Sequence, residues 1–175
     1  MGDARAAARP SSPIKTVRLT RKVKAPLSLV WDVWTKAEHL RHWFSPHGFA
    51  VDGVQSDPRP GGIFKLIMVP HDKSGVGGGG FWSVGHYLEV EPMRRIVVRA
   101  GGEGPDGALM FEVINTAEFE EQGDVTVIHV TSDIIAIYDP SIGEPAMKGM
   151  DEGWRQTLDR FEAEVIRTLK EGVAS

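Results

Sequence analysis

The sequence predicts an α+β domain in which a curved antiparallel sheet wraps one long helix near the C-terminus. Three observations lead there. Met147, Met150, Trp154, Leu158, Phe161, Val165 and Leu169 recur at spacings of 3, 4, 4, 3, 4 and 4, which is one face of an α-helix. Most of the chain before that stripe reads instead as a series of strands with short connectors. Twenty Gly and eleven Pro supply the turns that so many strands require. A stripe this bulky must be covered, and a curled sheet is the surface that covers a single helix.

Residues 1–13 are small, polar or proline and are expected to form a disordered tail, leaving one domain over residues 14–172. From Ile14 to Lys24 the chain alternates. Val17, Leu19 and Val23 share one face and Arg18, Thr20, Lys22 and Lys24 the other, as in a half-buried strand. Arg21 falls on the apolar side, where a carboxylate would satisfy it; Asp133, Tyr138 and Glu112 are the candidate neighbours. Pro26 opens a helix at a position where its missing N–H does no harm, and Leu27, Val30, Trp31 and Trp34 follow at helical spacing. A second short helix over Lys36–Trp43 stops at Ser45-Pro46.

Six more strands follow: Phe49–Gln55, Ile63–Val69, Phe81–Val90, Ile96–Ala100, Leu109–Glu121 and Val125–Ile135. Gly-rich loops follow the second and the fourth of these, and Gln122-Gly123-Asp124 turns the fifth into the sixth. Connectors this short cannot hold crossover helices, so the pairing is antiparallel.

Composition bounds the function. Hydrophobic residues make up 41% and charged residues 25%, as in an ordinary globular protein. There is no cysteine, which removes disulfides, thiolate metal sites and Cys nucleophiles and fits a reducing cytosol. A net charge of −4 favours no nucleic-acid partner. The basic residues Arg5, Arg9, Lys15, Arg18, Arg21, Lys22 and Lys24 read as a solvated tail and strand face. No run approaches the roughly 18 apolar residues of a membrane span, and the N-terminus carries neither a secretory h-region nor a myristoylation pattern.

Several segments together resemble a known family. They are Val23-Lys24-Ala25-Pro26, Val30-Trp31-Asp32-Val33-Trp34-Thr35 and His39-Leu40-Arg41-His42-Trp43-Phe44, then Pro60-Gly61-Gly62 before a strand. Gly85-His86-Tyr87-Leu88-Glu89-Val90-Glu91-Pro92 and Gly153-Trp154 with Leu158 and Phe161 complete the series. In this order they resemble the SRPBCC superfamily, and within it the homologues of the activator of the heat-shock-protein-90 ATPase, over residues 14–170. The resemblance implies a helix-grip (START-like) fold: a seven-stranded antiparallel sheet curled around the C-terminal helix, two short helices closing one end, and an elongated, mostly apolar cavity between. The long insertion Asp72–Gly80 departs from the family's tighter hairpin and stands near the implied cavity mouth.

The resemblance implies binding of a small hydrophobic molecule, lined here by Trp82, His86, Met110, Met150, Trp154 and Leu158. Met147 and Met150 are adaptable fillers, and Gly149 and Gly153 weaken the helix start by about 1 kcal/mol each relative to Ala, which suits a portal. On the hairpin strand, Trp82, Val84, His86, Leu88 and Val90 form the alternate set expected to face inward; the direction of His129 is open. Two other classes stand beside ligand binding. One is a chaperone-regulating interaction domain linked to the stress response, with a chaperone or a second copy of the chain as partner. The other is an enzyme using His86 or a buried carboxylate for acid–base work.

Other motifs carry less. The run Gly75–Gly80 contains G-x-G-x-x-G but leads into a strand, whereas a dinucleotide site leads into a helix. His39, His42 and His47 lack the further ligands zinc requires. Ser83 fails G-x-S-x-G because Phe81 stands two residues before it. No metal, cofactor or covalent nucleophile is expected.

Overall fold

The structure is a computed structural model and describes residues 12–71, 81–104 and 106–173. The tail before residue 12 and the insertion Asp72–Gly80, with its glycine run, lie outside the described residues. The elements run β1 (Lys15–Val23), α1 (Leu27–Thr35), α2 (Ala37–Trp43), β2 (Phe49–Ser56), β3 (Ile63–Pro70), β4 (Phe81–Glu91), β5 (Arg95–Glu103), β6 (Leu109–Gln122), β7 (Val125–Ile137) and α3 (Pro140–Val173). All seven strands form one antiparallel sheet in the order β1-β7-β6-β5-β4-β3-β2. The first strand therefore pairs with the last, and α1 and α2 carry the chain from one edge of the sheet to the other. This is the helix-grip architecture.

Register shifts interrupt the pairing at Val51/Gly53, Tyr87/Glu89, Gly102/Glu103 and Glu112/Val113. Each adds a residue to one strand, bending it and increasing its twist. The sheet curls, and α3 lies in its hollow, packed chiefly on β1, β6 and β7.

β5 runs past Ala100, where the sequence reading ends it. Gly101 and Gly102 belong to the strand because neighbouring side chains fill the space their own would need. A Cβ at Gly101 would lie 2.2 Å from Leu109 Cδ1, and one at Gly102 would lie 2.5 Å from the Phe111 ring. These glycines make close approach possible instead of making a loop. The tight β6–β7 turn uses Gly123 at φ +64°, a conformation that side chains disfavour.

The core is densest around the C-terminal half of α3. Phe161 is fully buried, its ring 5.1 Å from Trp34 and 4.8 Å from Trp43. Trp34 and Trp43 meet at 4.8 Å with their rings tilted by 46°, and Trp31 and Trp34 both meet Phe119 of β6 edge-on. The Trp43 Nε1–H donates to Val33 O at 2.8 Å, so the indole is fixed as well as buried. Aromatic pairs in such geometries add about 0.5–1.5 kcal/mol each beyond area burial. They join α1, α2, α3 and the sheet in one cluster.

Arg21 is paired as a structural residue. It binds Asp159 at 2.8 Å and Glu162 at 3.0 Å, both on α3, and not the Asp133, Tyr138 or Glu112 expected from the sequence. Those three lie elsewhere: Asp133 accepts from Thr16, and Tyr138 donates to Glu112. The helix crosses above β1, and a half-buried arginine on that strand takes the nearest carboxylates of the helix.

The two halves of α3 differ in what holds them, and unfolding experiments can measure the difference. Phe161→Ala should lower stability by about 3–5 kcal/mol. Gly149→Ala, where an added Cβ meets nothing within 4 Å, should raise it by about 0.5–1 kcal/mol through helix propensity alone. Denaturant titrations of the two variants check both signs.

Candidate functional site

The N-terminal half of α3 stands off the sheet and leaves a pocket of about 470 Å³ with an open side. Small residues of the helix line it. Gly143, Ala146, Gly149 and Gly153 stand at spacings of 3, 3 and 4 beside the larger Met147, Met150 and Trp154. Gly143 lets the helix start approach Ile137, which an added Cβ would meet at 2.6 Å, whereas at Gly149 it would meet nothing within 4 Å. The floor is Phe111 and Val113 of β6 with Ile134 of β7, and Phe44, Phe49 and Met68 form the far wall. Pro145, inside the helix, removes one further backbone donor. The first turns of α3 are thus intrinsically weak where they border the pocket.

Polar groups are few. At the mouth, the His47 amide donates to Gln156 Oε1 at 3.0 Å and Gln156 Nε2 donates to Glu152 at 3.2 Å. Ser45 Oγ accepts from Arg160 at 2.7 Å, which ties the α2–β2 connection to α3. On the floor, Asn115 Oδ1 accepts from Ser132 Oγ at 2.5 Å, and Ser132 lies 3.8 Å from the Met150 sulfur. His47 and Glu152, the lining residues with titratable side chains, are both exposed at the rim. The geometry can hold an apolar body; it offers no acid–base pair on the floor.

The six residues expected to line a cavity fall in different places. Met150 and Trp154 line this pocket. Leu158, 1% exposed, lies one turn deeper in the packed core. Met110 is not in the lining of this pocket; its carbonyl accepts from the amides of Tyr138 and Asp139 and anchors the entry to α3.

Trp82 and His86 are on the opposite face of the sheet, which corrects the inward set. The register pairs them with Ile67 and Ile63, whereas the buried Phe64 and Leu66 pair with Gly85 and Ser83. Directly paired residues share a face. The inward set of β4 is therefore Ser83, Gly85 and Tyr87 and, past the bulge at Tyr87/Glu89, Val90, which was expected inward and pairs with the buried Ile96. Tyr87 is 2% exposed, and its hydroxyl lies 2.7 Å from Ser56 Oγ. Burial pushes this phenol up to about 12 despite that hydrogen bond. Trp82 instead lies beneath the Lys65 ammonium at 4.8 Å.

His129 also faces outward, within 3.0 Å of Thr20 Oγ1, while Ile128 and Val130 point into the core. The outer face carries its own depression of about 330 Å³, where His86 and Leu88 stand near Arg99, Leu109 and Glu112. Burial pushes the Glu112 carboxyl up, but hydrogen bonds from Tyr138 at 2.5 Å and Arg99 at 3.2 Å outweigh it and hold it below the ordinary range.

Of the histidines considered for metal, His39 is committed elsewhere: its Nδ1 lies 2.9 Å from Glu164 Oε1. His42 and His47 are exposed, and no group of three or more candidate ligands occurs among the described residues. Among those residues no helix is long and apolar enough to cross a membrane.

A known family model matches most of the chain. The description "Activator of Hsp90 ATPase homolog 1-like protein" matches residues 24–165. The chain belongs to this family. The AHSA1-like family is part of the SRPBCC superfamily, so the resemblance read from the sequence holds at both levels.

Solved structures repeat the AHSA1-like fold. A protein from Chromobacterium violaceum is 25% identical with a TM-score of 0.69, over 86% of this chain and 96% of that one. An AHSA1 protein from Silicibacter pomeroyi is 20% identical with a TM-score of 0.68, covering 88% and 99%. A protein from Arthrobacter aurescens, 17% identical, superposes with a TM-score of 0.73 over 90% and 92%. The last two likenesses bear on fold alone. No curated protein matches the chain in sequence.

Glu164 offers a test of the contacts that lock α2 to α3. It is 4% exposed and accepts from His39 and, at 2.9 and 2.6 Å, from Arg167. Burial pushes its carboxyl up, but those hydrogen bonds dominate and hold it below the ordinary value. A carboxyl depressed on folding stabilises the protein above its unfolded pKa, near 4.3, and that stabilisation is lost as pH falls through the lower folded value. Glu164→Gln should cost about 1–3 kcal/mol at pH 7. The gap to the parent should narrow as pH falls below about 4.3, as measured by denaturant unfolding across that range.

Proposed function

We propose that the protein binds a small, largely apolar molecule between the N-terminal half of α3 and the sheet. The observation that carries this reading is the pocket of about 470 Å³ floored by Phe111, Val113 and Ile134. Its size falls in the ordinary range for small-molecule sites, about 300–1,000 Å³. Its lining is mostly apolar with few polar groups, as such sites are. The soft methionine side chains of Met68, Met147 and Met150 adapt to ligands of different shape. With His86 exposed on the outer face, acid–base work by that residue on a pocket-bound molecule has no geometric support.

The experiment is binding of the fluorescent hydrocarbon-like probe N-phenyl-1-naphthylamine. The parent protein should enhance its emission saturably and gain thermal stability as probe is added. Ala146→Trp places an indole in the pocket from an exposed helix position and should weaken binding by about tenfold or more, roughly the effect of 1.4 kcal/mol. No saturable binding by the parent, or equal binding by the filled variant, refutes the proposal.

The outer depression favours a second reading, a chaperone-directed interaction domain of the kind the family's name describes. Leu109 is 38% exposed there, beside the charged Arg99 and Glu112, and Ile63, 39% exposed, pairs with His86 on the same face. Apolar side chains rimmed by charge fit a protein partner. On this reading the protein raises the ATPase rate of heat-shock protein 90, and Leu109→Asp removes the effect without changing Tm by more than a few degrees. An unchanged rate with the parent protein eliminates it.

A further inference from the structure

From the polar inventory of the pocket we infer that its ligand is a neutral carbonyl compound, a ketone, aldehyde or ester, with the C=O directed at Asn115. This rests on the binding proposal above and specifies what that pocket selects.

Asn115 is the carboxamide on a floor otherwise built from Phe111, Val113 and Ile134, with Met150 of α3 opposite. Its two ends are not equivalent. The oxygen accepts from Ser132 Oγ. Ser132 has a single proton, and this contact uses it. The amide NH2 group is thereby left as the outward end, and it has no protein partner among the described residues. It is not sealed from the pocket, since no buried side-chain polar atom among the described residues lacks a hydrogen bond. A donor with no acceptor, on an apolar floor, is completed by a ligand acceptor.

The charge of that acceptor follows from the rest of the lining. No Lys or Arg lines the pocket, and its titratable lining residues, His47 and Glu152, are exposed at the rim away from Asn115 on the floor. A carboxylate carried to Asn115 would be a desolvated anion without a counter-charge, which is strongly disfavoured. A carbonyl oxygen accepts the N–H without that penalty and leaves its apolar substituents against Phe111, Ile134 and Met150. The Met150 sulfur beside Ser132 supplies only a weak acceptor, so it does not compete for the amide.

The test uses three probes of nearly one shape on the full chain: 2-acetylnaphthalene, 2-isopropenylnaphthalene, in which CH2 replaces the carbonyl oxygen, and 2-naphthoate. Affinities are read by displacement of N-phenyl-1-naphthylamine. The ketone should bind about tenfold more tightly than the alkene, the scale of one hydrogen bond to an otherwise unpaired donor, and the naphthoate should bind most weakly. Asn115→Leu should abolish the preference, so that the ketone and the alkene bind the variant equally. The infrared C=O stretch of the ketone bound to the parent protein, which needs no variant to fold, should move to lower wavenumber than in hexane. Equal binding of ketone and alkene with an unshifted stretch overturns the inference and leaves the pocket's ligand role standing. Tightest binding of the naphthoate also overturns it, in favour of an anion site. Failure of every probe, N-phenyl-1-naphthylamine included, overturns both.

Discussion

The structure depends on the contact between Phe161 and the two indoles of Trp34 and Trp43. This cluster is where the C-terminal helix, both short helices and the sheet meet, and its rings are buried from every side. Tight packing there fixes the second half of α3 against the sheet, because an interior at close-packed density has no room to let one element shift alone. The first half of the helix is then positioned by a rigid lever together with a few rim contacts. It can stand away from β2 and β3 and still be held in place. Removal of the lever would dissolve the pocket along with the core.

Curvature supplies the other half of the geometry. Bulges in four of the strand pairs bend the sheet, and the residues that permit close approach, Gly101 and Gly102, sit beside one of them. The hollow is wider than the helix. At the C-terminal end the surplus is filled by tryptophan and phenylalanine. At the N-terminal end α3 carries Gly143, Ala146, Gly149 and Gly153, and the hollow stays open. Side-chain volume along one helix thus decides which end is core and which is pocket.

Much of this was legible in the residues. The spacing of Met147 to Leu169 placed the long helix, and alternation with short connectors placed seven antiparallel strands, because both patterns are direct images of backbone periodicity. The direction of β4 was not legible. Trp82, Val84 and His86 are bulkier than Ser83 and Gly85, so bulk suggested the inward face, yet the inner side has little room there: Phe64 and Tyr87 already meet at 5.7 Å and fill it. Gly101-Gly102 read as a loop for a related reason, since the Leu109 and Phe111 side chains that occupy their space come from another strand. In the site, Met150 and Trp154 were found through the stripe. Gly149 and Gly153 were legible as the weak start of the helix, whereas Gly143, Ala146 and the floor residue Asn115 carried no such signal. Nothing local distinguishes Asn115 from any other strand asparagine.

The division of α3 also separates stability from specificity. Pro145, Gly149 and Gly153 lower the helix propensity of its first turns, and those turns are tied down by rim contacts such as Lys15 to Asp151 at 2.6 Å. A salt bridge this exposed adds little, about 0–1 kcal/mol, so the segment borders on local opening while the aromatic end does not. Ligand entry needs such a segment, and a fully packed helix would deny it. Placing the weak turns over an apolar floor confines the opening to one side of the fold and leaves the core closed. Changes in the lining at residues 143–153 can then alter what is bound without disturbing the cluster at Phe161, which is how one scaffold accommodates different functions.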